Sequence, residues 1–223
     1  MRLTHYGHAC VLVEIPRRET AKRVLIDPGT YSRDFEDLHD LDLILITHAH
    51  PDHLDADRLR VVAQNNPDAT IVRSPGAATA LTGLTTTVTE PGDTLVLNDI
   101  EIAVTGSGAH ARIHPDLPGS DNNGYLIEGA VLHPGDALDP PGVAVDTLLV
   151  PAGGPWLKLA ESIDYLRAVA PRVAVPIHQA GLAPAHQRMH HQLLTDLAPG
   201  GTEVVILEHA IPKEIQCTTP GSW

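Results

Sequence analysis

Cysteine is nearly missing from this chain. Only Cys10 and Cys217 occur among 223 residues, close to opposite ends. That argues against a disulfide framework and makes reduced thiols in a cytosol the expected setting. No apolar run approaches the length needed to cross a bilayer, so no membrane span is expected. The segment from Met1 to Val13 is interrupted by His5, Gly7 and His8 and followed by Glu14 and Pro16, and so lacks the core of a signal peptide. Basic residues are few and dispersed: 15 Lys and Arg against 28 Asp and Glu, a net charge of −13 with histidines neutral. Phosphate backbones are bound by clustered cations, so a nucleic-acid partner is not expected. Neither an internal repeat nor a low-complexity tract is visible.

What is present is an apolar content of 43%, enough to bury a substantial core, and 14 histidines. The segment His48, Ala49, His50, Pro51, Asp52, His53 follows the apolar run Leu41, Leu43, Ile44, Leu45, Ile46. In an extended segment, side chains two apart point the same way, so His48 and His50 can reach one cation together. Pro51 stops the strand and suits the first turn of a helix, from which Asp52 and His53 project toward a second, adjacent cation.

This His-x-His-x-Asp-His pattern after a hydrophobic strand resembles the signature of the metallo-β-lactamase superfamily of hydrolases. The resemblance implies three further ligands. His110 follows the strand-like Glu101 to Thr105 and the turn Gly106, Ser107, Gly108, Ala109; His114, four residues on, is the competing choice. Asp136 stands in His133, Pro134, Gly135, Asp136, similar to the family's turn that supplies a carboxylate between two metals. His178 ends the Val-rich Arg172 to Ile177 and is similar to the family's closing histidine. His48, His50 and His110 would then hold one cation, and Asp52, His53 and His178 the other, with Asp136 between them. Two zinc or two manganese ions suit this nitrogen and oxygen set equally, and iron is compatible with it. With no cysteine near the set, the secreted enzymes that place a thiolate among their ligands are more distant.

The implied fold is α/β: a four-layer αββα sandwich, two mixed β-sheets face to face with helices outside, formed by residues 1–223 as a single domain of two similar halves. The apolar runs Leu43 to Ile46 and Val173 to Ile177 suit sheets covered on both faces. Helices are expected near Leu54 to Gln64, Ala77 to Thr82, Leu157 to Ala168 and Pro184 to Leu197, and strands at Thr70 to Arg73, Gly124 to Glu128, Ala130 to Leu132, Thr147 to Val150 and Glu203 to Leu207.

The implied chemistry is hydrolysis of an ester-like, lactone or phosphoester bond in a small molecule by a water shared between the cations. Asp52 and Asp136 serve that centre, and His114 or Asp27 assists the leaving group. An anionic group on the substrate is compatible with two cations, and Arg112 and Lys158 are candidates to meet it. The cytoplasmic branch that includes ascorbate-phosphate lactonases is the more similar one. Asp27, in Leu25 to Gly29, is either the family's aspartate behind a ligand imidazole or a turn cap. His5 and His8 flank a hairpin that either leans over the site or stays at the surface. His186, His190 and His191 are expected on a solvated helix face. Trp156, after Gly153 and Gly154, is a substrate wall or a core residue. Two rivals stand beside hydrolysis. A metal-binding scaffold would keep the fold without turnover, and a di-iron redox protein would usually carry a carboxylate where this chain has His50.

Overall fold

The computed structural model describes residues 1–216; Cys217 lies outside the described residues. The first sheet contains strands β1 (Arg2–His5), β2 (Val11–Ile15), β3 (Lys22–Ile26), β4 (Leu43–Ile46), β5 (Thr70–Arg73), β6 (Thr86–Val88) and β14 (Lys213–Glu214), in the order β14-β1-β2-β3-β4-β5-β6. The second contains β7 (Thr94–Leu97), β8 (Ile100–Thr105), β9 (Gly124–Ile127), β10 (Val131–His133), β11 (Thr147–Pro151), β12 (Val173–Ile177) and β13 (Glu203–Val204), in the order β13-β12-β11-β10-β9-β8-β7. Each sheet is antiparallel on one side and parallel on the other: the change falls at β3 in the first and at β10 in the second. The two halves of the chain therefore repeat one topology.

Strict alternation sorts the apolar residues into three layers. Leu43 and Leu45 face inward and pack with Val24, Ile26, Tyr125, Ile127, Val175 and Ile177 between the sheets. Ile44 and Ile46 face outward, against Leu59 and Val62 of helix α1 (Ala56–Asn65). On the other side, Leu148, Val150 and Ala174 meet Ile163 and Leu166 of α2 (Leu159–Val169) and Leu194 of α3 (Pro184–Leu197). The molecule is thus an αββα sandwich with two mixed sheets. The Tyr125 hydroxyl crosses between the sheets and donates to the Ile46 carbonyl at 2.9 Å.

Several local expectations change. Pro51 opens an isolated turn rather than a helix; α1 begins at Ala56, where the Asp55 carboxylate accepts the Arg58 N–H at 3.1 Å. The helix expected at Ala77 to Thr82 is a short 3-10 segment, Pro75–Ala78, running into turns, because Pro75 and Gly76 suit a tight turn better than a long helix. The strand expected to reach Leu207 ends its regular pairing at Val204.

Candidate metal centre

Every expected ligand lies on a loop leaving a strand at the same end of the sandwich. His48, His50, Asp52 and His53 follow β4, His110 follows β8, Asp136 follows β10 and His178 follows β12. Their donor atoms form two adjoining groups: His48, His50, His110 and Asp136, and His8, Asp52, His53 and His178. Asp136 joins the groups. Its Oδ2 lies 3.2 Å from His110 Nε2, and its Oδ1 lies 3.0 Å from His53 Nε2 and 3.1 Å from His178 Nε2. His48 Nε2 and His50 Nδ1 are 3.1 Å apart.

The backs of these rings are held by the protein. The Thr47 hydroxyl donates to Asp27 Oδ2 at 2.6 Å, which leaves the Thr47 oxygen to accept His48 Nδ1–H at 3.0 Å. His53 Nδ1–H donates to Asp27 Oδ2 at 2.7 Å, His110 Nδ1–H to the Ala111 carbonyl, and His178 Nδ1–H to the Gly153 carbonyl. With each proton on Nδ1, the Nε2 lone pairs face the centre. His53 Nε2, His110 Nε2, His178 Nε2 and Asp136 Oδ1 are buried and make no hydrogen bond there, although they stand close to one another. Buried polar atoms without partners are costly, so this convergence calls for a positive ion. Ligands on a tetrahedral zinc-sized ion lie roughly 3.3 Å apart, close to the separations found here. The residues present fit a pair of divalent cations.

Electrostatics point the same way. Burial, and then the charge of His53, hold His48 well below the ordinary histidine range. Burial opposes a charged His53, but Asp136 and Asp27 on either side outweigh it and raise this ring well above its usual value. Burial also opposes ionisation of Asp136, and His53 with the neighbouring rings overcomes it, keeping the carboxylate ionised.

Behind the ligands, Asp27 is the orienting aspartate rather than a turn cap alone. It is fully buried, and its Oδ1 accepts Thr47 N–H at 2.8 Å. Gly29 lets this turn approach the ligand loop, since a Cβ there would stand 1.9 Å from the Asp52 carbonyl oxygen. Of the two readings of the hairpin, the one that leans over the site holds for His8. Far from a surface hairpin position, it is 3% exposed and stacks on His178 with ring centroids 3.8 Å apart. The Ala180 N–H donates to His8 Nδ1 at 3.3 Å, so His8 Nε2–H donates to Asp52 Oδ2 at 3.1 Å. Burial lowers His8 to about 4, so it acts as a neutral donor. Burial raises Asp52, but the His8 hydrogen bond and the charge of His53 outweigh it and bring Asp52 to about 2.

Trp156 is neither a mere wall nor mere core packing: its indole N–H donates to Asp136 Oδ2 at 2.7 Å. His114 is not brought to the centre. It lies on an exposed loop, its Nδ1 accepts Asp116 N–H at 3.2 Å, and it lines a hollow shared with His50 and His110. Asp27, closed in by Thr47 and His53, is not presented to a substrate. The solvated helix face holds for His186 only: His190 Nδ1–H donates to the Ala152 carbonyl at 2.7 Å, and His191 is half-buried.

A family model described as beta-lactamase superfamily domain matches residues 2–178. The chain belongs to that superfamily. "Protein Rv0786c" of Mycobacterium tuberculosis is 43% identical over 95% of this chain and 99% of its own length. "UPF0173 metal-dependent hydrolase MK1542" of Methanopyrus kandleri is 29% identical, over 93% of this chain and 97% of its own. Among solved structures, Igni18, described as a novel metallo hydrolase from Ignicoccus hospitalis, superposes with a TM-score of 0.70 at 22% identity, covering 96% of this chain and 99% of that one. This last likeness concerns the fold. The metallo-β-lactamase architecture expected from the His48 to His53 segment is the one observed.

Proposed function

We propose that this superfamily member is a metal-dependent hydrolase that cleaves an ester-like, lactone or phosphoester bond in a small molecule, using a water activated between two divalent cations. The observation that carries this reading is the convergence of buried, unbonded acceptors, His53 Nε2, His110 Nε2, His178 Nε2 and Asp136 Oδ1, with every ring proton fixed on the far side. The name of the Methanopyrus kandleri relative agrees with it. When bound, two such cations supply a water acidic enough to ionise near neutral pH and a Lewis acid for the oxygen that gains charge.

The chain's own residues do the rest. His48, His50 and His110 would hold one cation, and Asp52, His53 and His178 the other. Trp156 occupies one lone pair of Asp136 Oδ2, the oxygen beside His110, while Oδ1 faces His53 and His178. His8 fixes the Asp52 carboxylate from behind. On the exposed rim, His114 accepts the Asp116 N–H and stands apart from the ligands, so no proton transfer is assigned to it. Ligands spread over four loops on rigid strand ends keep this geometry while the outer loops set the substrate.

Metal analysis of the native protein, followed by assays on lactones, phosphodiesters, thioesters and β-lactams, tests the proposal. His48→Ala and Asp136→Ala are each expected to remove activity and bound metal together. Full turnover by either variant overturns the assignment of that residue, and a metal-loaded protein that turns over no substrate in the panel overturns the hydrolase reading.

A further inference from the structure

We propose that the substrate is an uncharged compound whose apolar part lies in the hollow beside Asp52 and His178. This rests on the hydrolase reading and narrows it to uncharged esters and lactones. The hollow has a volume of about 500 Å³, and at its inner end stand Asp52, His178 and His8. That size falls in the ordinary range for small-molecule pockets, roughly 300–1,000 Å³. Away from the ligands its walls are Thr30, Tyr31, Pro51, Pro155, Leu182 and bare glycine backbone, with neither lysine nor arginine among the described lining residues.

Tyr31 is 60% exposed, with its ring edge-on to His8 at a centroid distance of 5.2 Å, and it forms a broad side wall for a chain or ring. Gly154 lets the loop pack closely on the centre, since a Cβ there would stand 2.9 Å from Trp156 Nε1 and 3.3 Å from His178 Cε1. An anionic substituent in this hollow would sit against apolar walls and near Asp52, with no side-chain cation to meet it.

The nearby cations stand outside this hollow. Arg33, beyond Tyr31, is exposed and belongs to a neighbouring hollow that shares His8 and Tyr31. On the opposite side of the centre, the hollow of about 200 Å³ next to His50 and His110 includes Arg112. That guanidinium turns back to donate to the Pro115 and Leu117 carbonyls at 3.1 and 3.5 Å, and it organises its own loop. Ile113 and Leu117, at 45% and 48% exposure, give this side an apolar surface too. Selection therefore comes from shape and apolar contact, with the scissile group drawn to the metal centre.

The test uses full-length protein loaded with zinc. A phenyl ester and a lactone carrying a plain hexyl chain are compared with twins ending in a carboxylate or phosphate. The plain compounds are expected to show kcat/KM at least about 10-fold higher. Leu182→Arg is expected to narrow or invert that ratio, and Leu182→Met to retain it. Calorimetry with a hexyl hydroxamate and its carboxylate-ended twin reads the same preference without turnover, with about 10-fold tighter binding expected for the plain chain. Equal or inverted hydroxamate binding overturns the substrate class, whatever the activity. A plain-chain preference in calorimetry with no hydrolysis of any compound supports the apolar hollow and overturns the hydrolase reading instead.

Discussion

A single hydrogen atom on Trp156 tests how the centre is held. Trp156→Phe keeps an aromatic ring and removes the N–H that donates to Asp136 Oδ2. Groups behind metal ligands typically carry 10- to 100-fold of metal affinity or activity, so the variant is expected to lose about 10-fold in zinc affinity, measured by competition with a chelating dye. Unchanged affinity would show that the indole only fills space. Asp27→Asn removes the acceptor behind His53 and is expected to cost about 10- to 100-fold in the same titration. The seven residues expected to hold metal could be picked out in the sequence because four are neighbours and the others close strands at family-like positions, and the structure brings all seven to one end of the sandwich. Trp156 could not be picked out, because its role depends on one N–H meeting a carboxylate twenty residues earlier in the chain, a contact that no local spacing encodes. His8 was obscured for a related reason: a hairpin histidine looks solvent-facing until His178, from the other half of the chain, is laid over it.

At the scale of elements, the repeated topology supplies the signal that would have found His8. β1 in the first half corresponds to β8 in the second, so the loop carrying His8 occupies the place of the loop carrying His110. The loop carrying Asp27, after β3, likewise matches the loop carrying Asp136, after β10. Boundaries were less legible than elements, since Pro51 favours a turn as readily as a helix start. The strand-end loops are tied together by neutral histidines. His133 Nε2–H donates to the Ala9 carbonyl at 2.9 Å while its Nδ1 accepts Gly135 N–H at 3.1 Å, and His5 Nε2–H donates to the His8 carbonyl at 2.9 Å. Burial lowers both rings below the ordinary value near 6.5. The unfolded chain then takes up protons before the folded one, so the contribution of these rings to stability is present above about pH 6.5 and is lost as pH falls below it. The urea midpoint of the metal-free protein is expected to drop between pH 7 and pH 5, and His133→Gln to flatten that dependence. A midpoint that is constant or rises toward pH 5 would refute the neutral assignment.

For the whole molecule, the layer between the sheets carries the stability and the loops that bear His48 to His53, His110, Asp136 and His178 close its mouth. Leu45 is fully buried in that layer, and Leu45→Ala is expected to cost about 2–5 kcal/mol in chemical denaturation. A cost below about 1 kcal/mol would mean that the sheets repack freely. Removing metal with a chelator is expected to lower the melting temperature and zinc to restore it, since one such ion at a free concentration 100 times its dissociation constant adds about 2.7 kcal/mol of stability. The two sheets meet at the centre because His48 to His53 leave the first and His110, Asp136 and His178 leave the second. That division has a consequence for a chain still being synthesised. A ribosome has made the four early ligands long before His178 is joined, so a nascent chain cannot be charged with its full metal complement until the sixth strand of the second half of the fold is in view. Loading would therefore be a late event, and a chain cut short before residue 178 would meet a divalent cation only as an ordinary histidine-rich peptide.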